Sequence, residues 1–317
     1  MKRTLLLPLS LVAAMMLMAT TACAHNTGSK QDDIDMAAPE EGATIQVDTI
    51  EIMSQAMGRT IKNVVVTPWD YHLYADEIAD DVRYPVLYLL HGAYGCYADW
   101  SRKADLASMA SRYGFIIVCP DGQDSWYFDS PVDPKMQFET YVSQELVAYI
   151  DSHYRTYANR YMRAITGLSM GGHGSLFLAF RHPDVFWSCG SMSGCMDITK
   201  FPEKWHIKDR LGEYASNKQS WQDHAVCNQI DKVKASTLKP AQNIIIDDGT
   251  KDIFYSHNVA MHEILLENNI DHDFIVRPGA HSWDYWVNAL DYHMVFFSKA
   301  FSRGFTLMNQ PQSTDNQ

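Results

Sequence analysis

The chain has 317 residues, of which 46% are apolar and 20% charged, the balance of a globular protein with enough length to bury a full core and too much polarity for a polytopic membrane protein. Its formal net charge is -12. A surface that acidic repels phosphate backbones and anionic headgroups, so nucleic-acid partners and a polybasic membrane patch are excluded and neutral substrates are favoured.

At the N-terminus Lys2 and Arg3 precede an apolar stretch from Leu5 to Met18 that is too short to span a bilayer and ends in small residues, the pattern of a secretory signal over 1–24. Two processing readings stay open. Ala22-Cys23-Ala24 suits an ordinary signal peptidase, and Thr20-Thr21-Ala22-Cys23 resembles a loose bacterial lipobox that makes Cys23 a lipid anchor, the one expected membrane contact. Either way the expected location is outside the cytoplasm: secreted, periplasmic or on the envelope. Residues 25–43 are polar and without apolar period, as in a flexible tether. The other five cysteines, at 96, 119, 189, 195 and 227, form no disulfide framework; Cys189 and Cys195 are the pair considered for bridging.

From residue 44 the pattern turns to strands: Ile45 to Met53 and Thr60 to Val66 flank a turn near Met57-Gly58, an expected antiparallel hairpin. Strand and helix then alternate. Tyr84 to Leu90 and Gly114 to Cys119 are apolar runs of the kind a strand buried on both faces requires. Helical spacing occupies Ala104 to Arg112 and Phe138 to Tyr154, Met162 to Thr166 is a short strand, Gly172 to Arg181 a helix, and Val185 to Ser191 a further strand. Residues 195–240 lose the rhythm and read as a small helical insertion whose tryptophans serve its own core. Strands follow at Asn243 to Ile246 and Asp273 to Val276, with helices at Val259 to Leu266 and Asp284 to Phe301, and a flexible tail from 304 to 317. The expected fold class is α/β: one domain, 44–303, built on a mostly parallel, doubly wound sheet.

The chemistry gathers where those strands end. Gly167-Leu168-Ser169-Met170-Gly171-Gly172 lies between a strand and a helix, where small residues permit the strained turn of a nucleophile elbow and the helix N-terminus offers amides to an oxyanion. A serine hydroxyl needs a base, and the base needs an acid to orient it. Of the histidines beyond Ile246, only His281 stands in a small-residue loop, Pro278-Gly279-Ala280-His281-Ser282, just after the last strand. The acid falls within Asp247-Asp248-Gly249-Thr250-Lys251-Asp252, where three aspartates compete and Asp252 lies furthest out. His91-Gly92-Ala93, after an earlier strand, places the Ala93 amide beside that of Met170 as the expected oxyanion pair. Tyr94, Trp126, Tyr127 and Trp283 are the candidate substrate-binding residues. No metal-ligand spacing is present, and neither metal nor cofactor is expected.

Together these residues resemble the "Putative esterase" family of α/β hydrolases, which includes feruloyl and acetyl esterases, S-formylglutathione hydrolase and mycolyltransferases. The marks run from about residue 45 to 303: Leu89-Leu90-His91-Gly92, Pro120-Asp121-Gly122, the elbow, Gly249-Thr250-Lys251-Asp252, and Gly279-Ala280-His281 followed by Trp283. The resemblance implies the α/β-hydrolase fold, Asp252 as the triad acid, and Ala93 and Met170 as oxyanion donors. It implies a serine carboxylesterase acting on acetyl or feruloyl esters of plant polysaccharides. A thioesterase or acyltransferase on the same triad, and a non-catalytic glycan-binding envelope protein, are the alternatives.

Overall fold

A computed structural model describes residues 47–72 and 82–310. The expected signal, Cys23, the tether and residues 311–317 lie outside them. The hairpin forms β1 (Val47–Ser54) and β2 (Arg59–Val66), paired antiparallel from Val47 opposite Val66 to Ser54 opposite Arg59. After it come β3 (Val86–Leu90), β4 (Ile116–Pro120), β5 (Arg163–Gly167), β6 (Ser188–Met192), β7 (Asn243–Gly249) and β8 (Asp273–Arg277). They make one eight-stranded sheet in the order β1-β2-β4-β3-β5-β6-β7-β8. All neighbours from β4 to β8 pair parallel, and β2 joins β4 antiparallel.

Every residue of β3, β4, β5 and β6 is buried, which explains their lack of polar alternation. The pleat divides them between two layers. Val86, Tyr88, Leu90, Ile116, Val118 and Ile165 face a core that includes the helices Met170–Arg181 and Tyr255–Glu267. Leu87, Leu89, Ile117, Cys119 and Ala164 face the helices Leu106–Tyr113 and Trp283–Met308. Each Val, Leu or Ile among them contributes about 1.5–3 kcal/mol on leaving water, so both faces hold the sheet rigid beneath its loops. This is the doubly wound arrangement expected.

Several boundaries differ, each for a tertiary reason. The helix at 138–153 carries a π-helical segment, Tyr141–Glu145, where the Tyr141 hydroxyl meets the Asn63 side chain at 2.8 Å. A short helix at Asp99–Lys103 was not expected; its buried Trp100 donates Nε1–H to the Leu90 carbonyl at 2.9 Å. The last helix runs seven residues beyond Phe301, to Met308, so the expected tail begins as helix. Within that extension a Cβ at Gly304 would lie 2.6 Å from the Tyr161 carbonyl oxygen, so the glycine serves close packing of the helix.

The 195–240 insertion forms short helical turns, including Ile207–Leu211, Lys218–His224 and Ile230–Ala235. Their Ile207, Leu211, Trp221 and Ile230 enter the same core as β3 and β5. Cys189 and Cys195 are buried and unbridged, and all five described cysteines are free. Among the described residues no helix is long and apolar enough to cross a membrane.

Candidate active site

Ser169 ends the turn after β5 with φ 54° and ψ −116°, a conformation that costs a non-glycine residue about 1–3 kcal/mol and persists only when its surroundings impose it. They do so here. Its N–H donates to the Met192 carbonyl at 2.9 Å, and the next turn closes through Gly171 N–H to Leu168 O at 2.7 Å. Gly171 has no room for a side chain, since a Cβ would stand 2.5 Å from the His91 carbonyl oxygen. Elbow and β3 loop are thereby pressed together.

The Ser169 hydroxyl donates to His281 Nε2 at 3.0 Å, and His281 Nδ1–H donates to Asp252 Oδ2 at 2.9 Å and Oδ1 at 3.0 Å. Residues 112 and 29 positions apart in sequence thus meet in one chain of hydrogen bonds. The Asp252 side chain is fully buried and its Oδ1 also accepts the Phe254 N–H at 2.8 Å, so no solvent competes for it. Edge-on contacts from Trp286 (4.8 Å) and Phe254 (5.3 Å) hold the imidazole plane. Sequence reasoning did not single out these two aromatics, although Phe254 follows Asp252 by two residues.

The other aspartates have different partners. Asp247 takes both oxygens to Arg277 Nη2 at 2.7 and 2.8 Å and accepts the Tyr285 hydroxyl. Asp248 accepts the Gly249 N–H at 2.8 Å, and the side chains of Ser193 and Asn258 lie beside its buried carboxyl group. Burial, then the charge of Asp252, raises its pKa to about 8. A protonated Asp248 adds no second negative charge beside Asp252.

Ala93 and Met170 flank the serine from two sides. Among the described residues neither N–H has a hydrogen-bond partner, and Met170 begins a 12-residue helix whose N-terminal dipole favours negative charge. The β3 loop is fixed beneath: His91 Nε2 accepts the Gly122 N–H at 2.8 Å, and its carbonyl accepts the Tyr127 hydroxyl at 3.1 Å. An open cleft of about 520 Å³ lies over Ser169 and His281, with Tyr94, Trp205, Trp283 and Trp286 in its walls.

Two of the four expected substrate-binding residues are therefore corrected. Tyr94, 68% exposed, and Trp283 line the cleft. Trp126 and Tyr127 are buried instead and do not line it. Tyr127 lies against Gly122 and Gly174, and Trp126 donates Nε1–H to the Trp205 carbonyl at 2.9 Å. That hydrogen bond fastens the insertion to the body, and the insertion supplies Trp205 to the cleft, where sequence reasoning had assigned its tryptophans to an internal core. A second hollow, lined by Arg160, Lys234 and Lys239 among others, opens near the starts of β5 and β7, at the opposite end of the sheet.

A parallel sheet, a strained serine at a strand–helix turn, and loops from successive strands converging on it define an α/β hydrolase. The family described as "Putative esterase" matches residues 54–297. The chain belongs to that family and is a carboxylic ester hydrolase. It is 26% identical over 219 residues to an acetyl esterase of Caldicellulosiruptor saccharolyticus, covering 65% of this chain and 80% of that one. A solved ferulic acid esterase superposes with TM-score 0.69 at 26% identity, over 81% of this chain and 98% of the other. An S-formylglutathione hydrolase from Staphylococcus aureus superposes with TM-score 0.71 over 80% and 99%, at 20% identity, a likeness of fold.

Proposed function

We propose that the protein is a serine carboxylesterase working outside the cytoplasm, hydrolysing acetyl or feruloyl esters carried by plant polysaccharides through an acyl-enzyme on Ser169. The observation that carries this reading is the unbroken contact from Ser169 Oγ through His281 to buried Asp252. With Nδ1–H committed to Asp252, the lone pair of Nε2 faces the serine. As Oγ attacks the ester carbon, Nε2 takes the serine proton and the carbonyl electron pair moves to oxygen, held by the Ala93 and Met170 amides. Collapse breaks the bond to the alcohol, which leaves with the proton from Nε2. Water, deprotonated by the same nitrogen, then releases the acid and restores Oγ–H. No cofactor takes part.

The acyl choice is supported by the names of the acetyl and ferulic acid esterases that this chain resembles and by the aromatic walls of the cleft, which suit a planar acyl group or a sugar face. The location is supported by the signal-like pattern from Lys2 to Ala24. A panel of acetyl, butyryl and feruloyl esters, including acetylated and feruloylated xylan fragments, tests the reading. Turnover on acetyl or feruloyl substrates with loss of at least about 10³-fold in Ser169→Ala supports it. A folded wild type inert on every ester, or preferring a glutathione thioester, contradicts it.

A further inference from the structure

The β3 loop contains a strained residue immediately after the Ala93 amide. Tyr94 has φ 62°, in the region that favours glycine, although its side chain is large and mostly in solvent. Something outside Tyr94 must therefore hold its backbone. Its N–H donates to Asp124 Oδ1 at 2.7 Å, a short bond to a carboxylate from the loop after β4. That bond fixes the peptide plane between Ala93 and Tyr94, and with it one side of Ala93, which lines the cleft beside Ser169 and whose own N–H has no hydrogen-bond partner among the described residues.

Asp124 is itself braced. Arg210, in the insertion helix Ile207–Leu211, donates Nε–H to the Asp124 carbonyl at 3.2 Å and Nη1–H to Asp133 Oδ2 at 3.2 Å. The Arg210 side chain is only 13% exposed, so this bridge is built into the packing rather than hung on the surface. A line of contacts thus runs from the insertion through Asp124 to the peptide that follows the Ala93 amide.

We infer that Asp124 is a positioning residue for the reaction: its carboxylate holds Tyr94 in the left-handed conformation and so keeps the Ala93 N–H aimed at the developing oxyanion. The inference rests on the assignment of Ser169 as nucleophile and Ala93 as oxyanion donor. Asp124 touches no reacting atom, so its removal lowers the rate through the Ala93 amide in the transition state, while in the ground state it frees only the exposed Tyr94 at the cleft wall. Loss of a whole oxyanion donor costs about 10²–10³ in kcat, and misaiming one costs less, about 10–100-fold.

The test uses p-nitrophenyl acetate as substrate and an alkyl trifluoromethyl ketone, which forms a tetrahedral adduct on the serine, as a probe of the oxyanion site. Asp124→Ala is expected to lower kcat about 10–100-fold with KM within about threefold, and to weaken the ketone by the same factor as kcat/KM. Asp124→Asn retains an oxygen acceptor for the Tyr94 N–H and is expected to keep most of the activity. Asp124→Glu keeps the charge but misplaces the acceptor by one methylene and is expected to resemble the alanine variant. An active Glu variant beside an inactive Asn variant overturns the inference, because charge and not the acceptor would then matter. So does an Asp124→Ala enzyme that melts earlier yet keeps wild-type kcat and ketone affinity. Ser169→Ala separates the two levels: if it retains turnover and ketone binding, the assignment of the nucleophile fails, whereas an inert Ser169→Ala beside a fully active Asp124→Ala removes only the role of Asp124.

Discussion

Replacing Asp252 by Asn changes one atom of the carboxyl group and leaves its volume unchanged. In the wild type both oxygens receive His281 Nδ1–H, at 2.9 and 3.0 Å, and Oδ1 also receives the Phe254 N–H at 2.8 Å. Asn keeps its single carbonyl oxygen for Phe254 and turns its NH₂ toward the imidazole. Nδ1 must then accept, which places the remaining proton on Nε2, the nitrogen that faces Ser169 and has to take its proton. Because the Asp252 side chain is fully buried, no water can substitute as the acceptor that restores the productive tautomer. The same change in other serine triads lowers kcat by about 10⁴, or about 5.5 kcal/mol of transition-state stabilisation. The expectation for Asp252→Asn is a fall of about 10³–10⁴ in kcat with KM nearly unchanged and a melting temperature close to wild type. Initial rates on p-nitrophenyl acetate, with thermal melts of the same samples, provide the measurement. A folded variant losing less than about tenfold, or a larger loss of kcat in Asp248→Asn, would refute the assignment of the acid.

Gly171→Ala is expected to destabilise the fold by about 1–3 kcal/mol, because the new Cβ meets backbone oxygens of His91 and Leu90 at 2.5 and 2.6 Å that cannot swing aside. Urea denaturation and kcat are both expected to fall, since the displaced strand end leads into the oxyanion loop; unchanged stability contradicts the close approach. Asp248 carries a pH dependence of defined sign. With its pKa at about 8 in the fold against 3.8 for an ordinary aspartate, the folded state holds a proton that the unfolded state has lost between those values. Its contribution to stability is therefore greatest below the unfolded pKa and declines as pH rises toward the folded one, by at most about 1.4 kcal/mol per pH unit. Asp248→Asn keeps an acceptor for the Gly249 N–H and is expected to flatten that decline between about pH 5 and pH 8 in urea titrations; an unchanged slope contradicts it.

What the sequence disclosed follows from which forces act locally. The buried strands were legible because two-faced burial leaves continuous apolar runs such as Val86 to Leu90. The sharp turn at Ser169 and the loop that brings His281 beside it were legible because strained turns and tight loops demand small residues at short range. Choosing among the aspartates was not possible from spacing, since the partners that occupy Asp247, Arg277 and Tyr285, are 30 and 38 residues away. Trp126 and Tyr127 looked like cleft residues because they follow a strand that ends at the active edge. Both adopt positive φ, 59° and 60°, and turn inward, which their identities do not signal. Trp205 was missed for the converse reason. The insertion has no apolar period of its own, and a long-range hydrogen bond from Trp126 fastens its backbone to the body of the fold.

The most direct test of the central claim is covalent labelling of the full chain with a fluorophosphonate, followed by digestion and mass spectrometry. The account predicts one modified serine, in the peptide that contains Ser169, with labelling lost in Ser169→Ala and slowed by about 10³-fold or more in His281→Ala. Label on another residue, or labelling of Ser169 that proceeds at the wild-type rate without His281, would contradict it.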